Sequence, residues 1–123
     1  MMSSISGIIS LGRLLADPNR LKIIKLLLTQ PMCVCELMEV LALNQSCVSQ
    51  HLAILKYHQF LKARREGKWI VYEIRRKTLD DSLKTIQRFF KSSLSRTHGF
   101  QKEQRRLMNL EQRGLLCRRR RCK

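Results

Sequence analysis

At 123 residues the chain has room for one domain and a tail, and with 44% apolar and 28% charged residues it can fill a core, which excludes wholesale disorder. Its 25 Lys and Arg against 9 Asp and Glu give a formal net charge of +16, shared between residues 1–95 (15 basic, 7 acidic) and residues 96–123 (10 basic, 2 acidic), so the domain and its end both invite a polyanion: nucleic acid first, an anionic membrane surface second. No apolar run reaches the roughly 18 residues that a membrane span needs, and no basic stretch precedes the apolar residues of the N-terminus as in a secretory leader, so the expected location is the cytoplasm.

Residues 5–16 place Ile5, Ile8, Ile9 and Leu15 on one helical face, with Gly12 as a weak point. Asp17-Pro18 then marks a boundary, because Asp caps a helix and Pro is tolerated at its first position. The next helix, 18–29, is expected to bury Leu21, Ile24, Leu27 and Leu28 and to end at Gln30-Pro31. Residues 32–43 read as a short extended piece and a short helix from near Cys35, with Glu36 in its first turn. Asn44, Gln45 and Ser46 form a turn and cap, and a helix follows to about Tyr57 with Val48, Leu52 and Leu55 as its apolar stripe. Then the period changes. Leu61 to Arg65 and Trp69 to Ile74 read as strands, the second with Ile70, Tyr72 and Ile74 on one face, joined by a tight turn at Glu66-Gly67 where glycine supplies a positive φ. A last long helix, 78–95, carries Leu79, Leu83, Ile86, Phe90 and Leu94 in one stripe. Thr97-His98-Gly99 reads as a break, and residues 96–123 as a basic, cysteine-containing tail whose Arg118 to Arg121 add phosphate contacts and steepen salt dependence.

Four helices, a two-stranded hairpin and a closing helix are the parts of a mainly α, winged helix-turn-helix domain over residues 1–95. A recognition helix must bury one face, here Val48, Leu52 and Leu55, and present short polar groups to base edges from its N-terminus. Gln45, Ser46, Ser49 and Gln50 are those groups: Gln bonds an adenine edge bidentately, and Ser bonds several bases or a phosphate. Arg64, Arg65 and Lys68 sit around the hairpin tip, where a wing meets the backbone or the minor groove. An enzyme is not expected. The sequence has no Gly-rich phosphate loop and no paired carboxylates at a cleft, and Cys47/His51, its one His beside a nucleophile, belongs to the recognition helix.

The stretches Asp17-Pro18-Asn19-Arg20-Leu21, Cys33-Val34-Cys35-Glu36-Leu37, Ser46-Cys47-Val48-Ser49-Gln50-His51-Leu52 and Arg65-Glu66-Gly67-Lys68 resemble the ArsR/SmtB family of metal- and metalloid-responsive repressors, over roughly residues 8–95. The Cys-Val-Cys-Glu-Leu box is most similar to that of the arsenite and cadmium/lead sensors. The resemblance implies a homodimer assembled through its first and last helices. Each recognition helix would enter one half of an inverted repeat in double-stranded DNA, and an inducer would lower DNA affinity. No organic cofactor and no membrane partner are implied.

Five cysteines in no repeating framework read as free thiols of a reducing compartment. Thiolates prefer soft, thiophilic ions. Within a regular helix Cys33 and Cys35 would diverge, but Pro31 and Val34 place Cys33 before the helix and Cys35 in its first turn, where the helix dipole favours the Cys35 thiolate. Arsenite takes three thiolates, and where related arsenite-sensor boxes carry a further cysteine this chain has Met38. The third sulfur would come from Cys117, Cys122, Cys47 or the partner subunit, or two thiolates suffice. Residues 1–32 lack the extra cysteines of cadmium or lead sensors, and Asp80 and Asp81 with a lone His98 do not make the zinc pattern of the last helix. The expected inducer is therefore arsenite or antimonite, with cadmium or lead as the alternative. Two other readings stay open: a repressor gated by thiol oxidation, in which Cys117 and Cys122 take part, and a ligand-independent architectural DNA-binding protein driven by the net charge.

Overall fold

Aspartate and proline set the first boundary in the computed structural model, which describes residues 5–116. α1 (Ile5–Leu15) ends before Asp17, and α2 (Pro18–Thr29) begins beyond it. Asp17 Oδ1 accepts the backbone N–H groups of Asn19 (2.8 Å) and Arg20 (3.3 Å), which satisfies donors that have no partner inside a helix's first turn. The apolar stripe expected on α1 is divided. Leu14 is buried, with Leu11 and Leu15 packed on the core, whereas Ile5 and Ile9 are exposed. On α2 the core takes Ile23, Ile24 and Leu27, and Leu21, expected inside, is 49% exposed. The core-facing arc is centred on Ile23 and Leu27, one helical turn apart, and Leu21 lies beyond its edge.

The extended piece after Pro31 is a strand. β1 (Met32–Cys33) joins the hairpin of β2 (Leu61–Glu66) and β3 (Trp69–Ile74) in an antiparallel sheet of order β1-β3-β2. Between β1 and β2 lie α3 (Val34–Leu41) and α4 (Gln45–Tyr57). The Leu61↔Ile74 and Ala63↔Tyr72 pairs set one face of the sheet against the helices. Met32↔Tyr72 puts Met32 on that same face, and Cys33↔Val71 puts Cys33 on the other. The turn of the hairpin is Gly67-Lys68, one residue later than expected, because the ladder continues to Glu66↔Trp69; Gly67 has φ +61° there, a conformation costly for any residue with a Cβ.

Ile23, Leu37, Val48, Leu52, Leu55 and Leu61 are sealed from solvent, so the centre of the core is where α2, α3, α4 and the base of the hairpin meet. Each such side chain contributes roughly 1.5–3 kcal/mol by leaving water. α5 (Arg76–Lys91) stops four residues short of the expected end. Ser92 turns extended, its hydroxyl donating to Arg88 O at 2.7 Å, and Leu94 falls in a 3₁₀ turn. Of the α5 stripe, Leu79 packs on the core, while Leu83 and Phe90 are exposed. A further helix, α6 (Gln101–Gln112), occupies much of the segment read as a tail. Among the described residues no helix is long and apolar enough to cross a membrane.

Candidate nucleic-acid interface and thiol pocket

The link between α3 and α4 is three residues long, Ala42 to Asn44. Ala42 closes α3 in the left-handed region (φ 55°), and the Leu43 N–H returns to Met38 O at 3.2 Å, a helix-ending bond pattern more often built with glycine. Asn44 then starts α4, its side chain accepting the Cys47 N–H at 2.8 Å. The helix so aimed has two unlike faces. Val48, Leu52 and Leu55 are 0–1% exposed, while Gln45, Ser46, Ser49 and Gln50 all lie open to solvent. These four uncharged donors and acceptors surround a helix N-terminus, whose dipole attracts a phosphate.

His51 is held from behind. Its Nδ1 faces Arg20 Nη1 at 3.4 Å and its Nε2 lies 3.8 Å from Asp17 Oδ1. Arg20 also donates to the last carbonyls of α1, Leu14 O at 2.7 Å and Arg13 O at 3.2 Å. This cluster ties α1, α2 and α4 together, and it turns the His51 ring towards α2. Partial burial pushes the Asp17 carboxyl up, but the Asn19 and Arg20 amides, followed by the charges of His51 and Arg20, outweigh it and hold the carboxyl below its ordinary range. Sequence reasoning placed His51 on the recognition helix but did not join it to Asp17 and Arg20, which are more than thirty residues away.

The three wing cations are not equivalent. All are exposed. Arg64 pairs with Glu66 (2.7 Å) and with Glu73, and these hydrogen bonds and charges, Glu66 foremost, raise its pKa further. Among the described residues Arg65 donates only to Gly67 O, at 3.1 Å, and Lys68 lies over the Trp69 ring with Nζ 5.4 Å from its centre. Arg65 and Lys68 have charge to offer a phosphate, whereas Arg64 is already compensated.

Cys33 and Cys35 meet at one pocket. Cys33 precedes α3, its N–H donating to Glu36 Oε1 at 2.9 Å; Cys35 stands in the first turn. Because Cys33 pairs with Val71, its side chain lies on the sheet face away from the core, and the pocket there is lined by Cys33, Cys35, Glu36, Glu66, Trp69 and Val71. A second hollow on the far side of Cys35 runs past Met38 and Leu43 to Gln45 at the head of α4. Partial burial pushes the Cys33 thiol up; the Glu36 amide opposes this, and the Glu36 carboxylate and Cys35 add to it. Two sulfurs at one pocket suit a thiophilic ion, but among the described residues no three His, Cys, Asp or Glu side chains gather closely enough to enclose a metal. Cys47 is half-buried and lines neither hollow, His98 is exposed, Asp80 lies on α5 beside Leu83, and Cys117 and Cys122 lie outside the described residues. Glu66, Trp69 and Val71 as lining groups were missed at the level of sequence, since only the β1–β3 register brings them to the cysteines.

A capped helix with a bare polar head, set behind a two-helix turn and followed by a basic hairpin, defines a winged helix-turn-helix DNA-binding protein. Residues 17–58 match the description "Bacterial regulatory protein, arsR family". Over 71 residues the chain is 45% identical to an HTH-type transcriptional regulator, MJ1325, of Methanocaldococcus jannaschii, covering 57% of this chain and 75% of that one. It is 41% identical over 68 residues to the arsenical resistance operon repressor of Escherichia coli, covering 54% of this chain and 57% of the repressor. The chain therefore spans little more than half of that relative's length. In fold it is similar to the homodimeric winged helix-turn-helix DNA-binding domain Mb0332 of Mycobacterium bovis, with TM-score 0.56, 25% identity, and coverage of 67% of this chain and 77% of that one. The chain belongs to the arsR family, whose members are DNA-binding transcriptional regulators and not enzymes.

Proposed function

We propose that this protein is a repressor that grips an inverted-repeat operator as a homodimer and releases it when a thiophilic ion, arsenite or antimonite before cadmium or lead, binds Cys33 and Cys35. The observation that carries this reading is the division of α4, with one face sealed in the core and Gln45, Ser46, Ser49 and Gln50 bare on the other. Gln45 and Gln50 are assigned to base edges, Ser46 and Ser49 to bases or phosphates, and Arg65 and Lys68 to the backbone beside them. Arg64 joins them only by leaving its carboxylates. Exposed Ile5 and Ile9 on α1, and Leu83 and Phe90 on α5, provide apolar faces for a second copy. The Mycobacterium bovis domain is described as homodimeric.

The DNA-binding unit is assigned to residues 1–95, and the basic segment 96–123 to added phosphate contacts. The Escherichia coli relative is named for arsenical resistance, and the chemistry of this donor set agrees with that. Arsenous acid condenses with two thiols: two arsenic–sulfur bonds form, two arsenic–oxygen bonds break, the departing hydroxyls take the two thiol protons and leave as two waters, and arsenic keeps one hydroxyl and its +3 oxidation state. The test is a titration of arsenite into the protein–operator complex with all thiols reduced. Release at one arsenite per subunit, abolished in Cys33→Ser/Cys35→Ser, is expected. Unchanged DNA affinity at stoichiometric arsenite, antimonite and cadmium would refute the ion-responsive reading.

A further inference from the structure

We infer that the wing forms the far wall of the inducer site, and that a bound ion loosens DNA by displacing the wing's cations. The inference rests on the Cys33/Cys35 reading and deepens it. Cys33 is a residue of the wing's own sheet, paired with Val71 of β3. Opposite the two sulfurs, the pocket wall is made by Val71, Trp69 and Glu66, all on the hairpin. Each of the two exposed wall residues is in turn the partner of a wing cation: Trp69 lies under Lys68 at 5.4 Å, and Glu66 holds Arg64 at 2.7 Å. An ion seated on the sulfurs, with its remaining hydroxyl or water ligands, occupies the space beside Trp69 and Glu66. Those two side chains then shift; Lys68, which has charge to offer a phosphate, moves with Trp69, and the Glu66–Arg64 pair that braces the hairpin tip is disturbed.

The alternative route, through the hollow that runs from Cys35 past Met38 to Gln45, is made by α3 and the head of α4. Both are anchored more firmly: Leu37 and Val48 are sealed in the core, and Asn44 caps α4. Trp69 and Glu66 are exposed, and the wing is fastened at its tip mainly by its own ion pairs. In a two-state coupling the element with the fewest buried contacts gives way first.

Trp69 is the one tryptophan of the chain, so its emission reports on this wall alone. The reduced full-length protein is titrated with sodium arsenite while sulfur–arsenic absorbance, Trp69 emission and DNA affinity are followed. The same is done for Cys33→Ser/Cys35→Ser and, by absorbance and DNA affinity alone, for Glu66→Gln/Trp69→Ala; the latter two positions are exposed, so the fold survives the change. The wild type is expected to show absorbance and an emission change with one stoichiometry, and a loss of DNA affinity of about tenfold or more, within the usual range of allosteric coupling. The wing variant is expected to keep the absorbance but to release DNA by less than about threefold, taken as the ratio of affinities with and without arsenite. The cysteine variant is expected to lose all three signals. Absorbance with unchanged Trp69 emission, or full release by the wing variant, would overturn the wing route while leaving the cysteine site standing. Absence of absorbance in the wild type would overturn the site itself, and the wing route with it.

Discussion

The recognition helix and the wing present the groups proposed to meet DNA in opposite ways. α4 has uncharged polar groups at its head and a back face locked in the core, so its position is set by packing. The hairpin has the charges, but Arg64 is spent on Glu66 and Glu73 and Lys68 rests on Trp69, so its position is set by a few exposed contacts. In the proposed repressor, one element reads and the other clamps. The thiol pocket touches the clamp.

The largest expected effect breaks the helix side. Leu52→Ala removes a side chain 1% exposed, and urea denaturation should register a loss of roughly 2–5 kcal/mol. No equivalent change on the wing should approach that; Trp69→Ala, on an exposed residue, should stay within about 1 kcal/mol. On DNA the contrast is one of kind. Gln50→Ala is expected to cost about 1–3 kcal/mol on the preferred site and to relax the choice of base there, whereas Arg65→Ala or Lys68→Ala should weaken every duplex alike and lower the salt slope by about one. Arg64→Ala should change that slope less than either, because its charge is already met. Fluorescence anisotropy at several salt concentrations separates these outcomes.

Smaller effects concern how α4 is aimed. Asn44→Ala removes the cap on Cys47 N–H and should cost about 1 kcal/mol, while Ala42→Gly, at φ 55°, should raise stability by roughly 0.5–1 kcal/mol. The Asp17 cap gives a pH signature. Its carboxyl is held below the ordinary 3.8, so its contribution is complete above that pH and is lost as pH falls through the lower folded value. The stability gap between wild type and Asp17→Asn should therefore close on acidification below pH 3.8. A gap that stays constant to lower pH would show that the charge plays no part.

Much of this architecture is legible in the residues because its signals are local. Asp17-Pro18 marks a helix start by capping chemistry, Val48, Leu52 and Leu55 share a face by periodicity, and Gly67 marks the hairpin by its φ. What escaped depends on pairing across the chain. Two residues of extended backbone do not announce that β1 will join β3, yet that register alone puts Cys33 against Val71 and Trp69. Arg64 looks like a free cation until the ladder brings Glu73 to it. The arc of α2 that faces the core was misplaced by one edge at Leu21, since a helix with apolar residues on most sides carries little directional signal. The three-way contact of Asp17, Arg20 and His51 requires the packing of α2 on α4.

The central claim, that the bare head of α4 reads a sequence, is tested most directly by letting the protein choose its own DNA. Selection from a random duplex pool should yield an inverted repeat bound about a thousandfold or more tighter than random duplex at physiological salt, with that preference collapsing in Ser49→Ala/Gln50→Ala. A pool that converges on no repeat, or a preference of only a few fold that survives the double substitution, would contradict it.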